Sequence, residues 1–245
     1  MYRWLRSYAL MLKWQALSQK PMIPLHVAVE IMIAVGFVIG IGFFYPQINP
    51  TIAKFLTTGA PTLILLMVGL VIAPQMVVMA RVEGTFDYIW SLPVPRMVYL
   101  AADATIWLLI ALPGVLLALV IGSLYHSFTL EVSPLVVPAL LLIAVTGTFV
   151  GYTFAFGAPK PQMAHVATQI IVFAIVTFSP IMYPVEQLPD WLVVVHKVLP
   201  IQYMADLSRG TLTDLDVNLG LAFGITSAWC IAGFVVTYFV IRRRH

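Results

Sequence analysis

The chain has 245 residues, 61% of them hydrophobic and 9% charged, with a net charge of +3. Soluble domains run at roughly 45–50% and about 25%, so the composition excludes a water-soluble globular protein and leaves room for six or seven membrane helices of about 20 residues. The single cysteine, Cys230, lies in an apolar run, which excludes a disulfide framework or a thiolate metal site and leaves a small packing residue.

Residues 1–20 place Arg6, Lys13 and Lys20 on one helical face and Leu5, Tyr8, Leu12 and Ala16 on another. That pattern predicts an amphipathic helix lying along the headgroups of an inner leaflet. No uninterrupted apolar core with an A-x-A site marks a signal peptide there. Six spans are predicted, at 24–45, 57–80, 104–125, 134–157, 163–183 and 217–241, giving an all-α integral membrane protein of one transmembrane domain. With both termini cytoplasmic, ten of the 13 Lys and Arg fall inside, and only Lys54, Lys197 and Arg209 fall outside. This asymmetry predicts a multi-pass protein of the cell membrane with both ends in the cytoplasm.

Between the second and third spans, segment 81–96 reads Arg81-Val-Glu-Gly-Thr-Phe-Asp-Tyr-Ile-Trp-Ser-Leu-Pro-Val-Pro-Arg96. At helical spacing Val82, Phe86, Ile89, Trp90 and Pro93 share one side, while Glu83, Asp87 and Ser91 share another. Pro93 and Pro95 stop the helix, since neither donates to the ladder. The expectation is a short amphipathic helix over Val82–Leu92 on the cytoplasmic surface, with Glu83 and Asp87 as neighbours seeking a basic partner. A plain connector has little use for Phe86, Tyr88 and Trp90 together.

These residues carry a resemblance. Glu83-Gly84-Thr85-Phe86-Asp87, followed by Ser91-Leu92-Pro93-Val94, resembles the loop between the second and third helices of type-2 ABC exporter permeases. There an E-G-T-[LF]-[ED] run and S-L-P-V form the coupling helix that touches the ATPase subunit. Arg81 stands where an acid is frequent in the family, and Pro95 where Ser or Arg is usual. The resemblance implies that Glu83, Gly84, Thr85, Phe86, Asp87, Ile89, Trp90 and Pro93 couple the chain to an ABC ATPase subunit. It also implies that a second permease copy or a paralogue completes the pathway, with ATP and Mg held by the partner.

Segment 184–210 is too short and polar to span, and two short helices separated by Pro200 fit it, the first from Pro189-Asp190 and the second closed by Gly210. Ser179-Pro-Ile-Met-Tyr-Pro184 through Trp191-Leu192, and Leu199-Pro200 through Arg209-Gly210, are similar to further runs of the same family. The segment is expected as an outer re-entrant cap carrying Pro184, Pro189, Trp191, Pro200, Tyr203 and Arg209.

Catalytic signatures are missing from the sequence. No G-x-x-x-x-G-K-[ST] run occurs, so an ATP motor would be another polypeptide; the five histidines show no i, i+4 pairing with one another; no nucleic-acid partner is expected. Glu30 is read as the one acid within a span, close enough to the surface to pair with a basic residue of the amphipathic helix. Glu30, His165, Gln169 and Tyr152 are the candidates for gating or pathway, with a hydrogen bond to a neighbouring helix favoured for His165, Gln169 and Tyr152. The reading is therefore an exporter permease subunit without ATPase motifs of its own. An ion-coupled secondary transporter and a non-transporting membrane sensor on the same fold are the alternatives.

Overall fold

The computed structural model describes residues 2–45, 47–158 and 160–243, with backbone alone at 2, 3, 86, 87, 161 and 243. Its described elements are helical. Helix α1 (Tyr2–Gln19) leads into α2 (Ile23–Val35), which continues through a wide π-turn at Gly36–Gly40 and a 3-10 turn at Ile41–Phe44. Asn49 then caps α3 (Pro50–Met67): its side-chain oxygen accepts from the Ile52 N–H at 2.8 Å, and Pro50 occupies the first turn, where no N–H is needed. A second π-turn, Val68–Ile72, joins α3 to α4 (Ala73–Val82). Pro74 lies just beyond it and has no N–H for the Leu70 carbonyl, which a widened turn accommodates.

Helices α5 (Thr85–Ser91), α6 (Arg96–Tyr125), α7 (Val136–Gly157), α8 (Pro161–Phe178), α9 (Asp190–Val198), α10 (Pro200–Leu212) and α11 (Leu219–Arg243) complete the order. Among the described residues, five helices are long and apolar enough to cross a membrane: Ile23–Phe44, Pro50–Val82, Arg96–Tyr125, Val136–Gly157 and Leu219–Arg242. The chain is a multi-pass membrane protein.

Five of the six expected spans are matched by such a helix. The expected fifth span, 163–183, is a shorter apolar helix that stops at Phe178. Pro180 is the cause, because it forces Ser179 out of the α region, to φ −92 and ψ 139. The expected second and third spans, 57–80 and 104–125, are longer than read: their helices run over Pro50–Val82 and Arg96–Tyr125. Hydropathy marks the apolar core of a helix, while backbone hydrogen bonding carries the helix on into polar flanks. The second short helix of segment 184–210 also outruns its expected stop, since α10 passes through Gly210 to Leu212.

Close backbone approach builds the core. Where α7 crosses the π-turn, a Cβ on Gly69 would lie 2.7 Å from the Thr148 nitrogen, so only glycine permits that contact. Hydroxyls add to the packing: Thr153 and Thr237 sit 3.2 Å apart between α7 and α11. Outward faces carry Met32, Phe43, Phe44 and Leu124, more than 70% exposed, as lipid-facing residues would be.

Side-chain ties separate two ends. At one, Arg81 donates to the Ala155 carbonyl (2.7 Å) and Arg96 to the Ile241 carbonyl (3.2 Å). At the other, Lys54 pairs with Asp214, and Glu131 and Ser133 donate backbone N–H groups to Leu212 and Thr211.

Candidate coupling surface and buried polar cluster

Segment 81–96 is not one continuous helix. α4 ends at Val82, Glu83 caps it with an N–H to the Met79 carbonyl at 3.0 Å, and Gly84 follows at φ +76. Glycine takes that left-handed conformation without a Cβ penalty, so the chain turns and α5 starts at Thr85. Glu83 and Asp87 thus do not share a helix, and the expected helix over Val82–Leu92 is two helices divided by a turn. The side chains of Phe86 and Asp87 lie outside the described residues.

α5 is fastened by its own aromatic face. Ile89 is buried, and Trp90 packs edge-on against Tyr99 with centroids 5.8 Å apart. The Arg96 guanidinium lies over the Trp90 ring at 5.4 Å, a cation–π contact. Ile89 and Trp90, both expected among the coupling residues, thus pack within the chain. Val82, Glu83, Gly84, Tyr88, Ser91 and Pro93 are exposed, and Thr85 is half-buried.

Beneath this surface lies a cavity of about 200 Å³ lined by Trp14, Gln15, Met79, Glu83, Ile89 and Asp103, among others. Asp103 is buried and accepts a hydrogen bond from the Tyr152 hydroxyl of α7. Gln15 Nε2 is buried without a partner. Helix α1, the α4–α5 turn, α6 and α7 therefore meet at one polar cluster. Tyr152 is buried there and links α7 to α6. Asp103 escaped the sequence reading because the third span was started at Ala104. Its signal was present: Pro95 begins the helix, and nothing between it and Asp103 breaks it.

Glu30 needs correcting on two counts. It is not the one acid within a span, since Asp103 is another, and among the described residues no basic side chain pairs with it. The side chain is fully buried, and neither carboxylate oxygen has a partner. It sits where α2 crosses α6, against Gly114, whose added Cβ would come within 2.7 Å of the Glu30 Cβ. Helix α1 is tied to α6 at Thr105 by the Tyr8 hydroxyl at 2.8 Å. Nine residues separate Thr105 from Gly114, roughly 13 Å of helix, which takes Glu30 well past that tie. His165 and Gln169 are exposed on α8.

At the opposite end, α9 and α10 form a bonded unit. Arg209 is buried, donating to Asp206 at 2.8 Å and to the Pro180 carbonyl at 2.7 Å, with its guanidinium over the Phe55 ring. Burial raises Asp206 from the usual carboxylate value, and the adjacent Arg209 opposes that rise. The Tyr203 hydroxyl donates to the Lys197 carbonyl (3.0 Å), joining α10 to α9. Pro200 is buried in the first turn of α10, Pro184 and Pro189 flank the 3-10 turn Val185–Gln187, and Trp191 is exposed.

No group of three or more His, Cys, Asp or Glu able to hold a metal occurs among the described residues. The model of the family described as ABC-2 type transporter matches residues 9–213, most of the chain. No curated protein matches it. The family match takes in the second half of α1, the α4–α5 surface and the α9–α10 unit together, and in this family the membrane domain is the permease part, with ABC ATPases as its general partners. The chain belongs to the ABC-2 type transporter family and is a transmembrane component of an ABC-type transporter.

Proposed function

We propose that this chain is an exporter permease that works as a dimer and is driven by separate ATPase subunits docking on the α4–α5 turn. The supporting observation is the way α5 is held: Ile89 and Trp90 fix it to α6, while Val82, Glu83, Tyr88 and Pro93 face outward. A lever must be rigid toward its own protein and exposed toward its partner, and this helix is both. ATP and Mg belong to the partner, and both termini lie in the cytoplasm. The α9–α10 unit forms the outer, membrane-dipping cap. α8 counts as the sixth span, since its 18 residues rise about 27 Å against a hydrocarbon core of roughly 30 Å.

The test is complex recovery and ATP turnover with Glu83→Lys, Tyr88→Ala and, as a control at the far end, Lys54→Ala. The turn variants should assemble poorly or hydrolyse ATP without response to cargo, and the control should behave as wild type. Full assembly and coupled turnover in both turn variants would sink the docking assignment.

A further inference from the structure

Two helix breaks fall at one level of the bundle. Helices α3 and α6 run in opposite directions and meet where a Cβ on Gly122 would lie 2.3 Å from Thr57 Cγ2. Leu70 follows Thr57 by as many residues as Leu109 precedes Gly122. Their carbonyls therefore stand at the same level, roughly 20 Å along from that contact. Each lacks the N–H that would close an α-turn, because Pro74 and Pro113 stand four residues on. Around Leu70 the backbone has opened into the π-turn Val68–Ile72, and α6 packs against it. Helices bend where the ladder is interrupted, at prolines and wide turns.

The two sides of this level are held differently. Toward the α9–α10 unit, residues 56–66 are all buried, and a Cβ on Gly59 would lie 2.6 Å from the Ile181 carbonyl oxygen. That packing leaves Pro61, further along α3, no room to act as a joint. Toward α5, Met79 and Val82 are exposed, and the Trp90–Tyr99 contact joins α5 to the first turn of α6. The Tyr8–Thr105 bond adds α1 to the same body. Its side-chain ties to α7 and α11 include Arg81 to the Ala155 carbonyl, Tyr152 to Asp103 and Arg96 to the Ile241 carbonyl. At the break itself α7 presses on the turn backbone to backbone, at Gly69 and Gly151, and supplies a fulcrum.

We propose that α1, α4, α5 and residues 96–109 of α6 form one lever. It tilts on the rest of the bundle about Val68–Ile72 and Pro113, with the Tyr152–Asp103 bond as its catch. This rests on reading the α4–α5 turn as the docking surface of the ATPase, which gives the lever its load. From Leu70 to Val82 the arm measures about 18 Å, so a tilt of about 15° carries its tip about 5 Å.

The measurement is the distance between paired spin labels, read by pulsed electron resonance on the full chain in nanodiscs. Cys230→Ala removes the native thiol, and labelled chains are diluted in unlabelled ones so that only pairs within a chain are read. Tyr88→Cys with Phe239→Cys joins the lever to α11. Met163→Cys with Phe239→Cys joins α8 to α11 and leaves the lever out. All three positions are exposed. In Tyr152→Phe the first pair should gain a second distance about 5 Å from the wild-type one, while the second pair stays unchanged. Both helices must bend together, so adding Pro113→Ala, at an exposed position, restores one N–H and should return the first pair to a single distance. Should Tyr152→Phe not fold, Arg81→Ala releases the Ala155 carbonyl and should give the same result. A first pair unchanged in the tie variant overturns the proposal. So does an equal change in both pairs, or a second distance that persists with Pro113→Ala. No ATPase is present, so failure of the lever leaves the docking assignment standing, and failure of docking leaves the hinge standing.

Discussion

Asp103 and Tyr152 show what a single buried contact is worth in this fold. The carboxyl is enclosed among α6 and α7 and takes its hydrogen bond from the phenol. Tyr152→Phe keeps the ring and removes the donor, so it should destabilise the protein by about 1–3 kcal/mol. Asp103→Asn keeps an acceptor and should cost less. Thermal unfolding in nanodiscs checks both, and an unchanged midpoint for Tyr152→Phe contradicts the contact. His196 gives a pH dependence of defined sign. Its folded-state pKa is depressed by burial, so the unfolded chain binds a proton more readily. Stability should fall as pH drops through the unfolded value of about 6.5 toward the lower folded one. Between pH 7.5 and 5.5 the wild type should lose more stability than His196→Phe; parallel losses would show that His196 does not titrate this way. Glu30 was visible in the sequence as an acid in an apolar run, but its depth was not, because a helix crossing at Gly114 is a tertiary fact. Asp103 was obscured by where a hydropathy boundary was drawn.

Local rules fix several helix starts, two of which, at Pro50 and Arg96, lie ahead of the apolar runs that mark the expected spans. Asn49-Pro50 starts α3, Pro95 precedes α6, and Pro189 and Pro200 start α9 and α10, each through the missing proline N–H or a cap. Helical periodicity across 82–92 misled, because it carried one phase through Gly84, where a left-handed residue resets the register. The outward face of α5 follows from tertiary packing of Trp90 on Tyr99, which spacing alone does not reveal. Gly84 can be tested directly. Nothing lies within 4 Å of an added Cβ, so a substitution there acts through the backbone alone. Gly84→Ala should cost about 1–2 kcal/mol of the native turn and weaken recovery of the ATPase complex, with Gly84→Asn milder because asparagine tolerates that conformation. Equal recovery for all three proteins contradicts a turn whose geometry matters to docking.

Across the whole molecule, the side-chain ties of basic residues gather at two ends. Arg81 and Arg96 anchor helix ends beside α5, while Lys54 and Arg209 secure the α9–α10 unit at the other end. The Arg3 and Arg243 side chains and residues 244 and 245 lie outside the described residues. Class and element order were open to sequence reading because apolar run length is set by bilayer thickness. The cavity beneath α5 was not, since it is lined by helices distant in the chain. The central claim, that a family permease presents the α4–α5 turn to its ATPase, is tested most directly by site-specific photocrosslinking. A benzophenone side chain at Tyr88, exposed beside Gly84, is compared with one at Trp191, exposed on α9. Tyr88 should crosslink to the ATPase subunit and Trp191 should not; an ATPase adduct from Trp191 with none from Tyr88 would contradict the account.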